Sequence, residues 1–299
     1  MNLRQIELLR AVVRCETTVR AARELSLSQP AVSNAIKHLE SQVGFPLFER
    51  VNNRLFPTPE ARELYNDSDP IFSMHAALEA KVEDLRANRS GHVRIMATPP
   101  LGYSVIPVAL KNFLAKRPKT RVSFDVRRFE GIIENVDNGV AELGFVMGLS
   151  DDHKGVDSEC FFSERMVCVM RRDHPFAEKS VITPADLKRT AYIALQRGTQ
   201  MGTIVRQAFE KAGEAFSFAV EVRYCNTACV LAEAGVGVAI VDPLSPLAAG
   251  SDLIVRRFEP EAIVSASAVR SRKRPLSRTA EAFLREVRGV AERTASTFG

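Results

Sequence analysis

The apolar positions of the first sixty residues recur at helical spacing and then alternate. Leu3, Ile6, Leu9 and Val13 share one face, with arginines and Glu7 opposite, so residues 3–14 are predicted to form an amphipathic helix. Thr17 or Thr18 is placed to cap a second helix carrying Val19, Ala22 and Leu25. Ser26-Leu27-Ser28 makes a short turn. Ser28 then caps a third helix, with Pro30 in its first turn, where a missing N–H costs nothing. In that helix Val32, Ala35, Ile36 and Leu39 point inward. Gln29, Ser33 and Lys37 stand four apart on the opposite face, flanked by Pro30 and Asn34. The runs 47–51 and 54–58 flank Asn52-Asn53, which tolerates left-handed backbone, and so read as a β-hairpin.

Residues 59–89 are mostly helix formers, with Leu64, Ile71, Met74, Leu78, Val82 and Leu85 recurring at threes, fours and sevens. An exposed helix with such a stripe needs a partner, most economically its own copy in a second subunit. Asp69-Pro70 should kink or split it, and Asn88-Arg89-Ser90-Gly91 should end it. Beyond residue 91 the pattern becomes alternating strands and helices. Strands are predicted at 93–97, 122–127 and 143–147, with helices at 103–116 and 131–137. A second set has strands at 165–171, 192–195, 218–223 and 236–241, with helices at 202–212 and 227–234. Strands at 253–258 and 263–269 and a last helix at 276–293 follow. This predicts an α/β class of parallel sheets with helices on both faces, in two subdomains around a cleft. The expected organisation is a winged helix-turn-helix over 1–58, a linker helix over 59–90 and a regulatory domain over 91–299. Its first subdomain takes about 91–161 and 265–299, its second about 162–264.

Charge refines this slightly. Lys and Arg number 41 against 36 Asp and Glu, a net +5. Residues 1–58 hold eight Lys/Arg against five Asp/Glu, and the remainder 33 against 31, so the first fifth carries over half of the surplus. That bias suits a polyanionic partner without proving one. The apolar share of 45% and charged share of 26% are those of an ordinary globular chain. No apolar run approaches the roughly 20 residues of a bilayer span, and the first residues lack a signal-peptide h-region, so a cytoplasmic protein without a membrane partner is expected. Five scattered cysteines (Cys15, Cys160, Cys168, Cys225, Cys229) do not suggest a disulfide framework.

The third helix carries the most informative chemistry. Ser and Asn are mediocre helix formers, so stability alone would not place Ser33 and Asn34 mid-helix. Short hydrogen-bonding groups suit base edges in a major groove: Gln29 can bond adenine bidentately, and Lys37 can take guanine or phosphate. Two short helices joined by a tight turn make a helix-turn-helix, and the hairpin would be its wing. Arg50 and Arg54 would meet phosphates or a minor groove, and Thr58 a phosphate. An ordinary solvated polar face is the alternative. No Walker loop, Gly-x-Ser-x-Gly, His-Glu-x-x-His or zinc spacing is present, so neither an enzyme nor a metal or other cofactor is expected.

Ala21-Ala22-x-x-Leu25, Ser28-Gln29-Pro30-Ala31-Val32-Ser33, Leu39-Glu40, Gly44 and Leu47-Phe48-Glu49-Arg50 with Thr58, in order and without gaps, resemble the N-terminal signature of LysR-type transcriptional regulators. Asn34, where many relatives carry arginine, and Glu60-Ala61, where many carry Ala-Gly, depart from it. The resemblance implies double-stranded DNA as partner, a dimer of dimers built through antiparallel linker helices, and a small-molecule effector. It also implies a regulatory domain resembling periplasmic solute-binding proteins, hinged near 161–164 and 259–265. Ligands in such folds sit at strand carboxyl ends and helix N-termini. That selects Thr98, Pro100, Leu101, Gly102 and Tyr103, then Phe145 and Met147, Thr199, Gln200 and Met201, and Asn226 and Thr227. Helix N-termini and threonines favour a carboxylate, whereas Asp242 and Glu130 favour an ammonium or guanidinium. Together they suit a zwitterion, so an amino acid or its derivative is the expected effector. The stretches 221–223 and 234–243 resemble the amino-acid- and opine-responsive branch. The alternative is a redox switch through Cys225 and Cys229, four apart.

Overall fold

The computed structural model describes residues 1–51, 54–86, 91–148 and 155–296, and the chain divides into two units, Met1–Glu79 and Ala80–Gly299. The first unit contains α1 (Leu3–Cys15), α2 (Thr18–Glu24), α3 (Gln29–Val43), β1 (Phe48–Val51), β2 (Arg54–Pro57), α4 (Pro59–Asp67) and α5 (Asp69–Arg86), the last of which crosses into the second unit. Asn2 and Gln5 form a reciprocal capping box on α1. Thr17 caps α2 and Ser28 caps α3.

The buried face of α1 runs through Ile6, Leu8, Leu9, Ala11 and Val12, rotated from the predicted face so that Leu3 and Val13 fall at its edge. In α2 Val19 is half exposed while small Ala21 and Ala22 are buried, which lets α2 approach α3 closely. Val32, Ile36 and Leu39 complete this core. The hairpin pairs Val51 with Arg54, and its Asn52-Asn53 turn lies outside the described residues. The linker is split at Ser68, with Pro70 in the first turn of α5. Arg10 fastens this joint. Its guanidinium donates to Ser68 Oγ (2.8 Å) and pairs with Asp69 (2.6 Å) between the rings of Tyr65 and Phe72. Ile71, Met74, Leu78 and Val82 on α5 are exposed. The Leu85 side chain and residues 88–90 lie outside the described residues.

The second unit opens with β3 (His92–Ala97), α6 (Pro99–Gly102), α7 (Val105–Lys116), β4 (Arg121–Val126), α8 (Phe129–Asp137), β5 (Leu143–Met147) and β6 (Val156–Arg165). It continues with β7 (Val167–Arg171), β8 (Val181–Ile182), α9 (Pro184–Leu187), β9 (Tyr192–Leu195), α10 (Gln200–Lys211), β10 (Val220–Val222), α11 (Cys225–Glu233), β11 (Val238–Val241) and β12 (Leu253–Phe258). It ends with β13 (Ile263–Ser271) and α12 (Arg278–Ala295). A five-stranded sheet has the order β4-β3-β5-β13-β6, and a six-stranded sheet the order β10-β9-β11-β7-β12-β8.

Neither sheet is purely parallel, contrary to the expectation. In the first, β13 runs antiparallel to β5 and β6; in the second, β7 runs antiparallel to β11 and β12. The reason is the double crossing: the chain leaves the first sheet through β6 into β7 and returns from β12 into β13, so these strands join without a crossover helix. Strand β6, unrecognised in the sequence because buried and exposed residues alternate poorly along it, pairs with β13 from Val156 to Arg165. It displaces the crossings to Met166 and residues 259–262. Helix α12 lays Ala280, Phe283, Val287, Val290 and Ala291 onto the first sheet, with Phe283 edge-on to Phe113 and Phe145.

Candidate functional site

Two constellations stand out, one in each unit. On α3, Gln29, Pro30, Asn34 and Lys37 are exposed and Ser33 half-buried, so the polar row faces outward as its spacing predicts. Gln29 Nε2 donates to Ser33 Oγ (3.0 Å) and to Thr18 Oγ1 (3.2 Å). Thr18, which the sequence offers only as a helix cap, is the first residue of α2, and its hydroxyl joins the row because the turn brings the two helix starts together. Glu40 Oε1 accepts the backbone N–H groups of Leu47 (2.9 Å) and Phe48 (3.1 Å), which pins the hairpin to α3. Arg54 is exposed on β2, and the Arg50 side chain lies outside the described residues. Thr58 needs correction. It is buried; its hydroxyl accepts from Ala61 N and donates to Pro46 O, both at 3.2 Å. It caps α4 and has no donor left for a phosphate.

In the second unit a cavity of about 230 Å³ opens between the carboxyl ends of the two sheets. It is lined by Thr98, Pro99, Pro100, Arg128, Phe129, Glu130, Met147 and Gly148 from the first subdomain, and by Gly198, Thr199, Gln200, Met201, Arg223, Tyr224 and Cys225 from the second. Four helix starts converge there: Thr98, Arg128, Thr199 and Tyr224 are the N-caps of α6, α8, α10 and α11. The starts of α8, α10 and α11 turn the positive ends of their helices to the lining, whereas α6 opens on Pro99-Pro100, which have no N–H to add. Thr199 is occupied by capping, accepting from Gly202 N and donating to Gln196 O. Thr98 accepts from Met147 N (3.1 Å) and ties the end of β3 to that of β5. Gly148, at φ +73°, has the Gln200 side chain packed over it, where a Cβ would stand 2.5 Å from Gln200 Oε1, so the walls touch here through a position that suits only glycine. Arg223 and Glu130 face each other from opposite walls at 3.8 Å.

Seven of the predicted cleft residues line this cavity: Thr98, Pro100, Glu130, Met147, Thr199, Gln200 and Met201. The others do not. Leu101, Gly102 and Phe145 are buried in the core, Tyr103 is exposed, and Asn226 and Thr227 lie past the first position of α11, away from the opening. Asp242 is fully buried. Its carboxylate accepts from Leu244 N (2.9 Å), Ser245 N (2.8 Å) and Ser245 Oγ (2.6 Å). Burial pushes its carboxyl up from the ordinary value, opposed by hydrogen bonds from Ser245, Cys225 and Leu244. It braces the turn after β11 and cannot meet a ligand cation. Arg128, Arg223 and Tyr224 were missed, although all lie beside strand ends or helix starts, where the signal was available.

Burial also decides the cysteine pair. It pushes the Cys225 thiol well up and the Cys229 thiol up to about 12, so neither supplies thiolate near neutral pH. Cys225 Sγ rests 3.4 Å from Met201 Sδ. Among the described residues no group of three His, Cys, Asp or Glu could hold a metal ion, and no helix is long and apolar enough to cross a membrane.

Comparisons agree with both halves. The family model of bacterial regulatory helix-turn-helix proteins, lysR family, matches residues 3–62, and that of the LysR substrate binding domain matches residues 86–292. The chain is 31% identical over 284 residues to the transcriptional activator protein LysR of Escherichia coli (strain K12), covering 95% of this chain and 91% of that protein. It is 31% identical over 258 residues to the octopine catabolism/uptake operon regulatory protein OccR of Rhizobium meliloti, covering 86% and 85%. The crystal structure of CbnR, a LysR family transcriptional regulator, shares the fold with a TM-score of 0.76 at 22% identity, covering 97% of this chain and 99% of that one.

Proposed function

The chain belongs to the LysR family of DNA-binding transcriptional regulators, and on that premise we propose that an amino acid or amino-acid derivative, bound in the cleft of its regulatory domain, modulates its hold on promoter DNA. The observation that carries this is the cavity lined from both sheets, at which four helix starts meet Arg128, Arg223 and Glu130. Positive lining suits a carboxylate and Glu130 suits an amine. One similar protein is named for an octopine catabolism operon, and octopine is itself an amino-acid derivative.

On the DNA side, Gln29, Pro30, Ser33, Asn34 and Lys37 read base edges, and Arg50 and Arg54 hold phosphates beside them. The exposed stripe Ile71, Met74, Leu78 and Val82 is the surface through which two copies pair, and two such pairs make the dimer of dimers. An effector alters DNA affinity only so far as it binds one arrangement more tightly than another. The test selects duplexes from a random pool with the full chain, then measures affinity and bend with and without a saturating panel of amino acids. At least one compound should change both. Unchanged affinity and bend across the panel, with no ligand raising the melting temperature, would count against the effector reading.

A further inference from the structure

The charges of the cleft narrow the effector further, on the reading that the cleft is the effector site. Each wall supplies one guanidinium, Arg128 at the start of α8 and Arg223 just before α11. Among the described residues the Arg128 guanidinium has no ion-pair or hydrogen-bond partner. Arg223 forms a long ion pair with Glu130 across the cleft, at 3.8 Å and so without a hydrogen bond, which a ligand carrying both charges can enter and replace. Neither α8 nor α11 has a side-chain cap, and both present the positive end of the helix at the cavity rim. The lining thus holds two cations and one carboxylate, with helix starts adding to the positive side.

A ligand with one carboxylate and one amine would leave one guanidinium uncompensated in a partly enclosed site. A plain dicarboxylate would set Glu130 against two anions. Two carboxylates and one amine match all three side chains. We propose that the effector is a small dicarboxylic amino acid, with one carboxylate on Arg128, the other on Arg223 and its amine at Glu130. The cavity of about 230 Å³ is smaller than the roughly 300–1,000 Å³ of drug-sized sites, so the compound is small. Because the two arginines stand on different walls, a ligand that engages both joins the walls, whereas a monocarboxylate grips only one.

The test measures binding to the full chain by calorimetry for aspartate, glutamate and 2-aminoadipate, beside glutamine and lysine (one carboxylate) and glutarate (no amine). At least one dicarboxylic amino acid should bind at least tenfold more tightly than the one-carboxylate and amine-free compounds. Arg128→Gln and Arg223→Gln should each weaken it tenfold or more, and Glu130→Gln should bring glutarate level with its amino counterpart. Equal binding of glutamine or lysine, absence of binding by every dicarboxylic probe, or undiminished binding by both arginine variants overturns the proposal. If the arginine variants fail to fold, the comparison of probes on the unaltered chain still decides it. Gly198→Phe, whose side chain enters open space at the cavity wall, separates this class from the underlying site. Loss of a tight monocarboxylic ligand in that variant sinks the dicarboxylic class and keeps the cleft. Undisturbed dicarboxylic binding there sinks the cleft as well.

Discussion

Replacing Glu40 by alanine tests how the wing is held to the recognition helix. One oxygen of this carboxylate accepts two backbone N–H groups, Leu47 at 2.9 Å and Phe48 at 3.1 Å. Leu47 is fully buried and Phe48 nearly so, so water has poor access to either amide once the acceptor is gone. A buried donor left without a partner costs about 1–3 kcal/mol, and two give roughly 2–6. Glu40 itself is half-buried, which admits some solvent and places the expected loss near the lower middle of that range, about 3 kcal/mol. At about 1.4 kcal/mol per factor of ten, the hairpin should open locally on the order of a hundredfold more often. Amide hydrogen exchange in the full chain reads this directly. Leu47 and Phe48 should exchange about a hundred times faster in Glu40→Ala, while buried amides of α1 such as Val12 stay protected. Glu40→Gln, which retains an acceptor without the charge, should fall between. DNA affinity should drop with the alanine variant because the wing loses its fixed angle. Exchange within threefold of the unaltered chain at both amides would refute the assignment of Glu40 as the wing's anchor.

Gln29→Ala should reduce discrimination between a selected operator and a scrambled duplex by about 1–3 kcal/mol without changing stability, since the residue is exposed; retained discrimination would remove it from the base-reading row. Asp242→Ala should destabilise the regulatory domain by about 3 kcal/mol or more, because two buried amides and the Ser245 hydroxyl lose their acceptor. Urea titration against Asp242→Asn, which keeps one acceptor oxygen, checks this, and an alanine variant of full stability would contradict the bracing role. His174 accepts Phe176 N–H on Nδ1 (3.1 Å), so its neutral ring carries the proton on Nε2 toward Thr190 Oγ1 (3.0 Å), and burial draws its pKa below the ordinary 6.5. The unfolded chain therefore takes up the proton first: stability is full above pH 6.5 and falls as the pH drops through that value toward the lower folded one. His174→Gln should flatten this part of the melting-temperature profile; an unchanged slope would dismiss the ring as its source.

The helix-turn-helix was legible from residues alone because its information is local. Caps at Thr17 and Ser28, a proline in the first turn of α3 and an apolar face at helical spacing all act within a few residues. So was the split of the linker at Ser68, since a proline breaks a helix wherever the rest of the chain goes. The alternation of strands and helices likewise announced two α/β subdomains. What depended on distant pairing was not legible. The antiparallel strands β7 and β13 follow from a double crossing that no local spacing encodes. Asp242 and Thr58 read as free polar groups in the chain, yet both end up buried with their hydrogen bonds filled by neighbours at a turn or a helix start. Arg128 and Arg223, more than ninety positions apart in the sequence, become members of one lining only when the two sheets set their carboxyl ends against each other. Short-range propensity writes elements into the chain, while the solvent exposure and company of a charged group depend on how those elements pack, and that is a property of the folded whole.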